Sequence, residues 1–198
     1  LAQHYRVRMA RLLLDNWLPD PSHLVVGEAL VIQYPEETHK LLPGETLAQA
    51  ARRGRISLRQ LLRNNPQLEG GSNFFPGQEL VLSFRQKKEG VLSVGGDAYP
   101  NTDFALIQET LPFLSTLSPF THTVTAQGGL EPLADQAMVD AARAMGVRPL
   151  LHLSNLGRDG EFSSERIHTI LTDGAVQNRL LSSILTVYRQ NGYRGADL

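Results

Sequence analysis

The sequence predicts an α+β region of βααβ type, present twice, followed by an α/β region of alternating strands and helices. Three observations carry this. First, the leading part of the chain repeats itself. Leu1-Ala2-Gln3 recurs as Leu47-Ala48-Gln49, Leu12-Leu13-Leu14-Asp15-Asn16 as Leu61-Leu62-Arg63-Asn64-Asn65, and Gly27-Glu28-Ala29-Leu30-Val31-Ile32 as Gly77-Gln78-Glu79-Leu80-Val81-Leu82. The offset drifts from 46 to 50 residues, as small loop insertions produce. Second, the later copy carries turn and capping residues where a strand-helix-helix-strand unit needs them. Third, beyond residue 90 apolar runs of strand length alternate with helical periodicity.

The chain has 198 residues, 19 Lys and Arg against 20 Asp and Glu, 41% hydrophobic residues and no cysteine. That is a globular composition with length enough to bury a core. It excludes disulfide scaffolds, thiol nucleophiles and Cys-ligated zinc. A formal charge of -1 lacks the basic surplus that neutralises phosphates, which excludes nucleic acid as a partner. No apolar run approaches the ~18 residues of a membrane span. The start, Leu1-Ala2-Gln3-His4, shows no signal peptide and no Met, so the chain reads as processed or as a fragment.

In the later copy, residues 38–42 suit a strand and Pro43-Gly44 a turn. Thr46 is placed to cap a helix with Leu47, Ala50 and Ala51 on one face. Gly54 breaks that helix, and Ser57 caps the next, which carries Leu58, Leu61 and Leu62 to Asn64-Asn65-Pro66, where proline forbids continuation. Pro76-Gly77 then turns the chain into the strand Glu79-Leu80-Val81-Leu82-Ser83. The earlier copy lacks the opening strand and turn, and has Val26-Gly27-Glu28 in place of Pro76-Gly77-Gln78.

Together, Pro43-Gly44-Glu45-Thr46-Leu47, Leu61-Leu62-Arg63-Asn64-Asn65 and Pro76-Gly77-Gln78-Glu79-Leu80-Val81 resemble the LysM module. The resemblance implies one module at 1–34 without its first strand, a second at 38–84, and binding of N-acetylglucosamine polymers, peptidoglycan or chitin. It implies a shallow groove with Gly44, Glu45, Thr46 and Leu47 on one side and Asn73, Phe74, Phe75 and Pro76 on the other. Backbone groups there can pair with an acetamido group while apolar side chains cover its methyl. Leu47 and one of the two phenylalanines are expected in the core. Glu45 stands where the family usually has Asp. Arg52, Arg53, Arg55, Arg59 and Arg63 read as a solvated face, and residues 1–86 carry ten basic against eight acidic side chains.

After a charged linker at 85–90, residues 91–94 are a strand candidate. Asn101 or Thr102 can cap a helix bearing Phe104, Ile107 and Leu111, and residues 120–124 suit the next strand. A helix over 132–145 ends at Gly146, a third strand spans 147–153, and Ser163 opens further helices that Gly192 closes. A fourth strand begins at Tyr193. This alternation implies parallel strands with right-handed crossovers, either an open doubly wound sheet or part of a (β/α)8 barrel. No G-x-G-x-x-G follows a strand, which favours the barrel over a dinucleotide fold.

In their order, Asp97-Ala98-Tyr99-Pro100, Leu111-Pro112-Phe113-Leu114, Ser118-Pro119-Phe120, Gln127-Gly128-Gly129-Leu130, Gly146-Val147-Arg148-Pro149-Leu150-Leu151-His152-Leu153-Ser154-Asn155 and Asn191-Gly192-Tyr193-Arg194-Gly195-Ala196-Asp197 resemble a known enzyme family. They are similar to the first third or so of a family 18 glycoside hydrolase of the spore-germination, cortex-lytic type, whose members carry two N-terminal LysM modules. The resemblance implies that 91–198 is the N-terminal part of a (β/α)8 TIM barrel whose fourth strand carries D-x-x-D-x-D-x-E. Matched here, Arg194 replaces the first Asp, Asp197 is the second, and the third Asp and catalytic Glu fall beyond Leu198. In the family that Glu protonates the leaving oxygen while the substrate's own acetamido group attacks the anomeric carbon.

Asp197 is then a supporting carboxylate. Asp97 and Tyr99 after the first strand, with Ser154 and Asn155 after the third, stand where barrel active-site loops begin. His122 and His152 are expected as hydrogen-bonded core residues. No spacing suggests a metal or a cofactor. The implied function is hydrolysis of cell-wall glycan in the envelope or spore, with no activity expected from residues 1–198 alone, because four strands leave barrel edges unpaired. The alternative is a non-catalytic peptidoglycan- or chitin-binding protein with a degenerate barrel, which Arg194 supports.

Overall fold

Capping chemistry sets the first unit, Leu1–Val91. The computed structural model describes residues 1–85, 93–157 and 160–197. After helix α1 (Met9–Asp15), strand β1 (Pro35–Lys40), helices α2 (Leu47–Arg53) and α3 (Leu58–Asn64) and strand β2 (Glu79–Phe84) follow as βααβ. Thr46 accepts a bond from the Gln49 amide at 3.2 Å, and Gln49 returns one from the Thr46 amide at 2.8 Å, a capping box that starts α2. Ser57 caps α3, and Pro66 opens a 3-10 segment (Pro66–Gly71) beyond it. Both helices bury their leucine and alanine faces, Leu47, Ala50, Leu61 and Leu62, together with Leu80 and Leu82 of β2. The strands pair antiparallel, His39 opposite Leu80.

The first strand lies three residues earlier than the 38–42 expected. The turn closed by the Glu45 amide on the Leu42 carbonyl claims its end, while Pro35 extends the ladder to Phe84.

The repeat survives in hydrogen bonding. Asn65 donates to the Leu61 and Val81 carbonyls at 2.9 and 2.8 Å and accepts from the Val81 amide at 2.8 Å. Asn16 donates to the Leu12 and Val31 carbonyls at 2.8 and 2.9 Å and accepts from the Val31 amide at 2.6 Å. In each copy one asparagine ends a helix and clamps it to an extended segment. The segment that matches the later copy's second strand, residues 29–32, nevertheless forms no strand. Among the described residues no second strand lies beside it, so Asn16 supplies the bonds that a ladder would.

In the second unit, Leu92–Leu198, β3 (Gly95–Ala98), α4 (Phe104–Thr110), β4 (Thr116–Pro119), β5 (His122–Thr123), α5 (Gln136–Ala144), β6 (Arg148–Pro149), β7 (Leu151–Ser154), α6 (Ser164–Thr172), α7 (Gly174–Asn191) and β8 (Ala196–Asp197) alternate. The pairings between these strands are parallel, β3 with β4, β4 with β6, β5 with β7, and β7 with β8. β4 and β5 form one run interrupted at Phe120-Thr121, and β6 and β7 one run interrupted at Leu150. The four runs therefore lie in chain order without the reversal of a doubly wound sheet.

Several boundaries moved. Residues 91 and 92 of the expected first strand, and the linker after Arg85, lie outside the described residues, and the ladder begins at Gly95. The second strand begins at Thr116, not 120, because its register is set by β3 rather than by local β-propensity. Asp103, rather than Asn101 or Thr102, caps α4, its carboxylate accepting from Ala105 at 3.0 Å. Helix α5 starts at Gln136 rather than 132. Gly146 and Gly192, at φ 71 and 79, close α5 and α7 in the left-handed region as expected. Ala98, Leu117, Leu151 and Leu153 of the strands pack on Ile107, Met138, Val139 and Ile184 of the helices, which therefore cover one face of the sheet.

Candidate functional site

Strand alternation assigns the other face. With Ala98, Leu117, Leu151 and Leu153 turned to the helices, Asp97, Ser118, His152 and Ser154 project from the opposite side, Ser118 buried there. Registers place Asp97 beside Ser118 and His152 beside Asp197. The Ser118 hydroxyl donates to Asp197 Oδ2 at 3.2 Å, joining strands that are 79 residues apart in sequence. Thr121 Oγ1 hydrogen-bonds His152 Nδ1 at 2.7 Å. Beside them the Phe120 ring stands 4.7 Å from His152 and 5.1 Å from Tyr99, which is 57% exposed. These groups gather where the parallel strands end, the end at which such sheets place ligands. An aromatic row beside a hydroxyl-oriented carboxylate can stack on a sugar ring and hold a polar substituent.

Of the residues expected here, the sheet brings together Asp97, Tyr99, Ser154 and Asp197. Asp97 is an exposed residue within β3 rather than after it, and Ser154 closes β7, its hydroxyl accepting from the Leu156 amide at 3.3 Å. The Asn155 amide is engaged in its own loop, donating to the Ser163 carbonyl at 3.0 Å. Sequence reasoning missed Ser118, Phe120 and Thr121, and gave His152 to the core, although it is half-buried on the open face. Alternation from Leu117, Leu151 and Leu153 could have found Ser118 and His152. Arg194 lies at the other end of its strand, lining a cleft of about 540 Å3 with Arg143 and Arg148.

His122 belongs to the helix side, as expected. Its Nε2 lies 3.1 Å from Asp135 Oδ2 and 3.2 Å from the Tyr193 hydroxyl, which also donates to Asp135. Asp135 is 0% exposed. Burial raises its pKa, but the hydrogen bonds from His122 and Tyr193 outweigh that and hold it below the ordinary carboxylate value. Burial first, then the bond to Asp135, pushes the Tyr193 phenol far above its ordinary value. This network ties β5, α5 and the segment entering β8, and so fixes where Asp197 stands.

In the first unit the loops holding Gly44 to Leu47 and Asn73 to Pro76 run side by side, because Leu41 bonds Gln78 and Gly77 through its amide and carbonyl. Gly44 adopts φ 74 at the turn, where nothing lies within 4 Å of an added Cβ. Leu47 is buried as expected, but both Phe74 and Phe75 are exposed, by 41% and 59%, contrary to the expectation that one is core. The leucines of α2, α3 and β2 already fill that core. Thr46 and Gln49 are occupied by the helix cap. The Glu45 carboxylate accepts from the Leu42 amide at 2.9 Å and lies 2.7 Å from His39 Nε2, which together hold its pKa below the ordinary value. Glu45 thus rigidifies the loop, leaving backbone groups and two phenyl rings facing solvent.

No family model matches the chain. The chain is 26% identical over 180 residues to a Bacillus subtilis protein whose name is "Putative sporulation-specific glycosylase YdhD", covering 90% of this chain and 42% of that protein. The crystal structure of the Bacillus cereus spore cortex-lytic enzyme SleL superposes with a TM-score of 0.65 at 25% identity, over 98% of this chain and 46% of that one. SleL of Bacillus megaterium gives 0.62 at 23% identity, again over 98% and 46%, a likeness of fold. The chain thus spans less than half the length of these relatives.

Proposed function

We propose that the chain is the polymer-binding and first catalytic-barrel portion of a cell-wall glycan hydrolase acting in spore cortex degradation. The observation that carries this is the likeness to the B. cereus cortex-lytic enzyme, which runs through both units of the chain at 25% identity rather than through one. On this reading 1–34 and 38–84 are LysM modules, and residues 91–198 begin a family 18 (β/α)8 barrel. Four parallel runs in chain order, with helices on one face only among the described residues, support the barrel over a doubly wound sheet. The groove flanked by Gly44, Glu45, Thr46 and Leu47 and by Asn73, Phe74, Phe75 and Pro76 then takes an N-acetylglucosamine residue of peptidoglycan or chitin.

In the barrel, Asp197, oriented by Ser118, is the supporting carboxylate, and Tyr99 with Phe120 forms the wall on which a sugar stacks. The proton donor is the Glu of D-x-x-D-x-D-x-E, a pattern this sequence matches only as far as Asp197. Substrate-assisted cleavage asks the protein to protonate the leaving oxygen and to orient the acetamido group. Arg194, the departure from that pattern, lines the opposite strand end and leaves the open face unchanged. Residues 1–198 should co-sediment with purified peptidoglycan or chitin without releasing reducing sugar, and Phe74→Ala/Phe75→Ala should abolish the sedimentation. Binding unaffected by that pair would refute the groove, and neutral residues in place of Asp-x-Glu directly after Leu198 would favour the non-catalytic reading.

A further inference from the structure

A second cleft in the first unit has a different chemistry. It encloses about 820 Å3 between the segment before α1, the residues leading into β1, and β2. It shares no residue with the loops of the groove described above. Four arginines line it, Arg6, Arg8, Arg11 and Arg85, against one carboxylate, Glu79. That concentration stands out in a chain whose formal charge is -1.

The four guanidiniums divide into two kinds. Arg8 is held by Glu79 at 2.6 Å, which neutralises the one acidic group of the wall. Arg11 is held by Asp15 and by the Asn64 carbonyl at 3.0 Å, and lies over the Phe84 ring at 5.1 Å. Among the described residues the side chains of Arg6 and Arg85 have no hydrogen-bond or ion-pair partner. Tyr5 and Tyr34 line the same cleft and are tied together, the Tyr34 hydroxyl donating to the Tyr5 carbonyl at 3.2 Å. The Arg85 amide donates to the Tyr34 carbonyl at 2.9 Å, so the free guanidinium and the aromatic wall belong to one braced segment.

We propose that this cleft binds an anionic saccharide. The guanidiniums of Arg6 and Arg85 fork onto its oxyanion, a carboxylate or a phosphate, and Tyr5 and Tyr34 stack on the ring that carries it. Guanidinium is the side chain whose planar donors match either oxyanion bidentately, and aromatic faces suit a sugar's apolar side. The volume lies in the range of ligand sites. The cleft therefore reads a charge that the neutral acetamido groove does not.

The test is isothermal titration of residues 1–198 with trigalacturonate for the carboxylate, glucose 6-phosphate for the phosphate, and chitotriose as the neutral control. Binding of either anionic probe that weakens with added salt, and that Arg6→Gln/Arg85→Gln reduces by at least about tenfold, supports the site and names its oxyanion. Chitotriose binding should be unchanged in that variant, which separates this site from the groove. In the unmodified chain the amide resonances of Arg6, Tyr34 and Arg85 should shift with the anionic probe. Shifts confined to other residues, no anionic binding, or full affinity in the double variant overturn the proposal.

Discussion

Replacing Asn65 by Ala should unfold the first unit's βααβ core, and the structure sets the size of the effect. The side chain is 0% exposed and makes three hydrogen bonds of 2.8 to 2.9 Å, two to carbonyls and one from the Val81 amide. At about 1 kcal/mol net each, their loss costs about 3 kcal/mol, and the buried Val81 amide left without a partner adds about 1 to 3 more. A total near 5 kcal/mol is comparable with the whole stability of a small module. Asn65→Asp keeps the acceptor but turns a carboxylate toward two carbonyl oxygens, so it should cost at least as much. Asn16→Ala removes the matching trio from a partly solvated site, where water replaces lost partners, and should cost about 1 to 2 kcal/mol. Urea unfolding followed through the amide resonances of Leu80 to Leu82 measures all three. A cost below about 1 kcal/mol for Asn65→Ala, or a larger one for Asn16→Ala, would refute the clamp.

Other outcomes follow from the second unit. Gly128→Ala sets a side chain at φ 81 with its Cβ 2.5 Å from the Val176 carbonyl, so thermal unfolding should show a loss of about 2 to 4 kcal/mol. Asp135 has a lowered pKa, so its contribution is present above the unfolded value near 4 and is lost as pH falls through the folded value; Asp135→Asn should flatten the acid limb of a stability profile. Tyr193 has a raised pKa, so its contribution is whole below about 10 and is lost at higher pH. Tyr193→Phe should remove that alkaline limb and cost about 1 to 3 kcal/mol, read by chemical denaturation at several pH values. Should a longer form of the protein cleave glycan, Ser118→Ala should lower kcat with KM little changed, because it frees Asp197 without removing a sugar contact; unchanged kcat would refute the positioning role.

Local chemistry made much of the fold legible. Thr46, Ser57 and Ser163 cap helices in the structure because each offers a hydroxyl to amides that a helix start leaves unpaired, and Gly146 and Gly192 end helices because they alone adopt positive φ there at no cost. These are decided within four residues of chain. The repeated asparagines were visible as letters, but their role as clamps was not, since Asn65 bonds a strand 16 residues away.

The candidate site shows the same divide. The sequence by itself placed Asp97 and Tyr99 after the first strand and Ser154 with Asn155 after the third, while Asp197 came from the resemblance to D-x-x-D-x-D-x-E. Only the tertiary structure decided that Ser118 meets Asp197, that Phe120 joins Tyr99 to His152, and that Phe74 and Phe75 both face water. Those outcomes depend on which strands become neighbours and on how much core the leucines already fill. Parallel pairing joins residues through crossovers far longer than any turn, so no local pattern encodes it. What a residue touches across a sheet is settled by register, and register is a property of the folded chain.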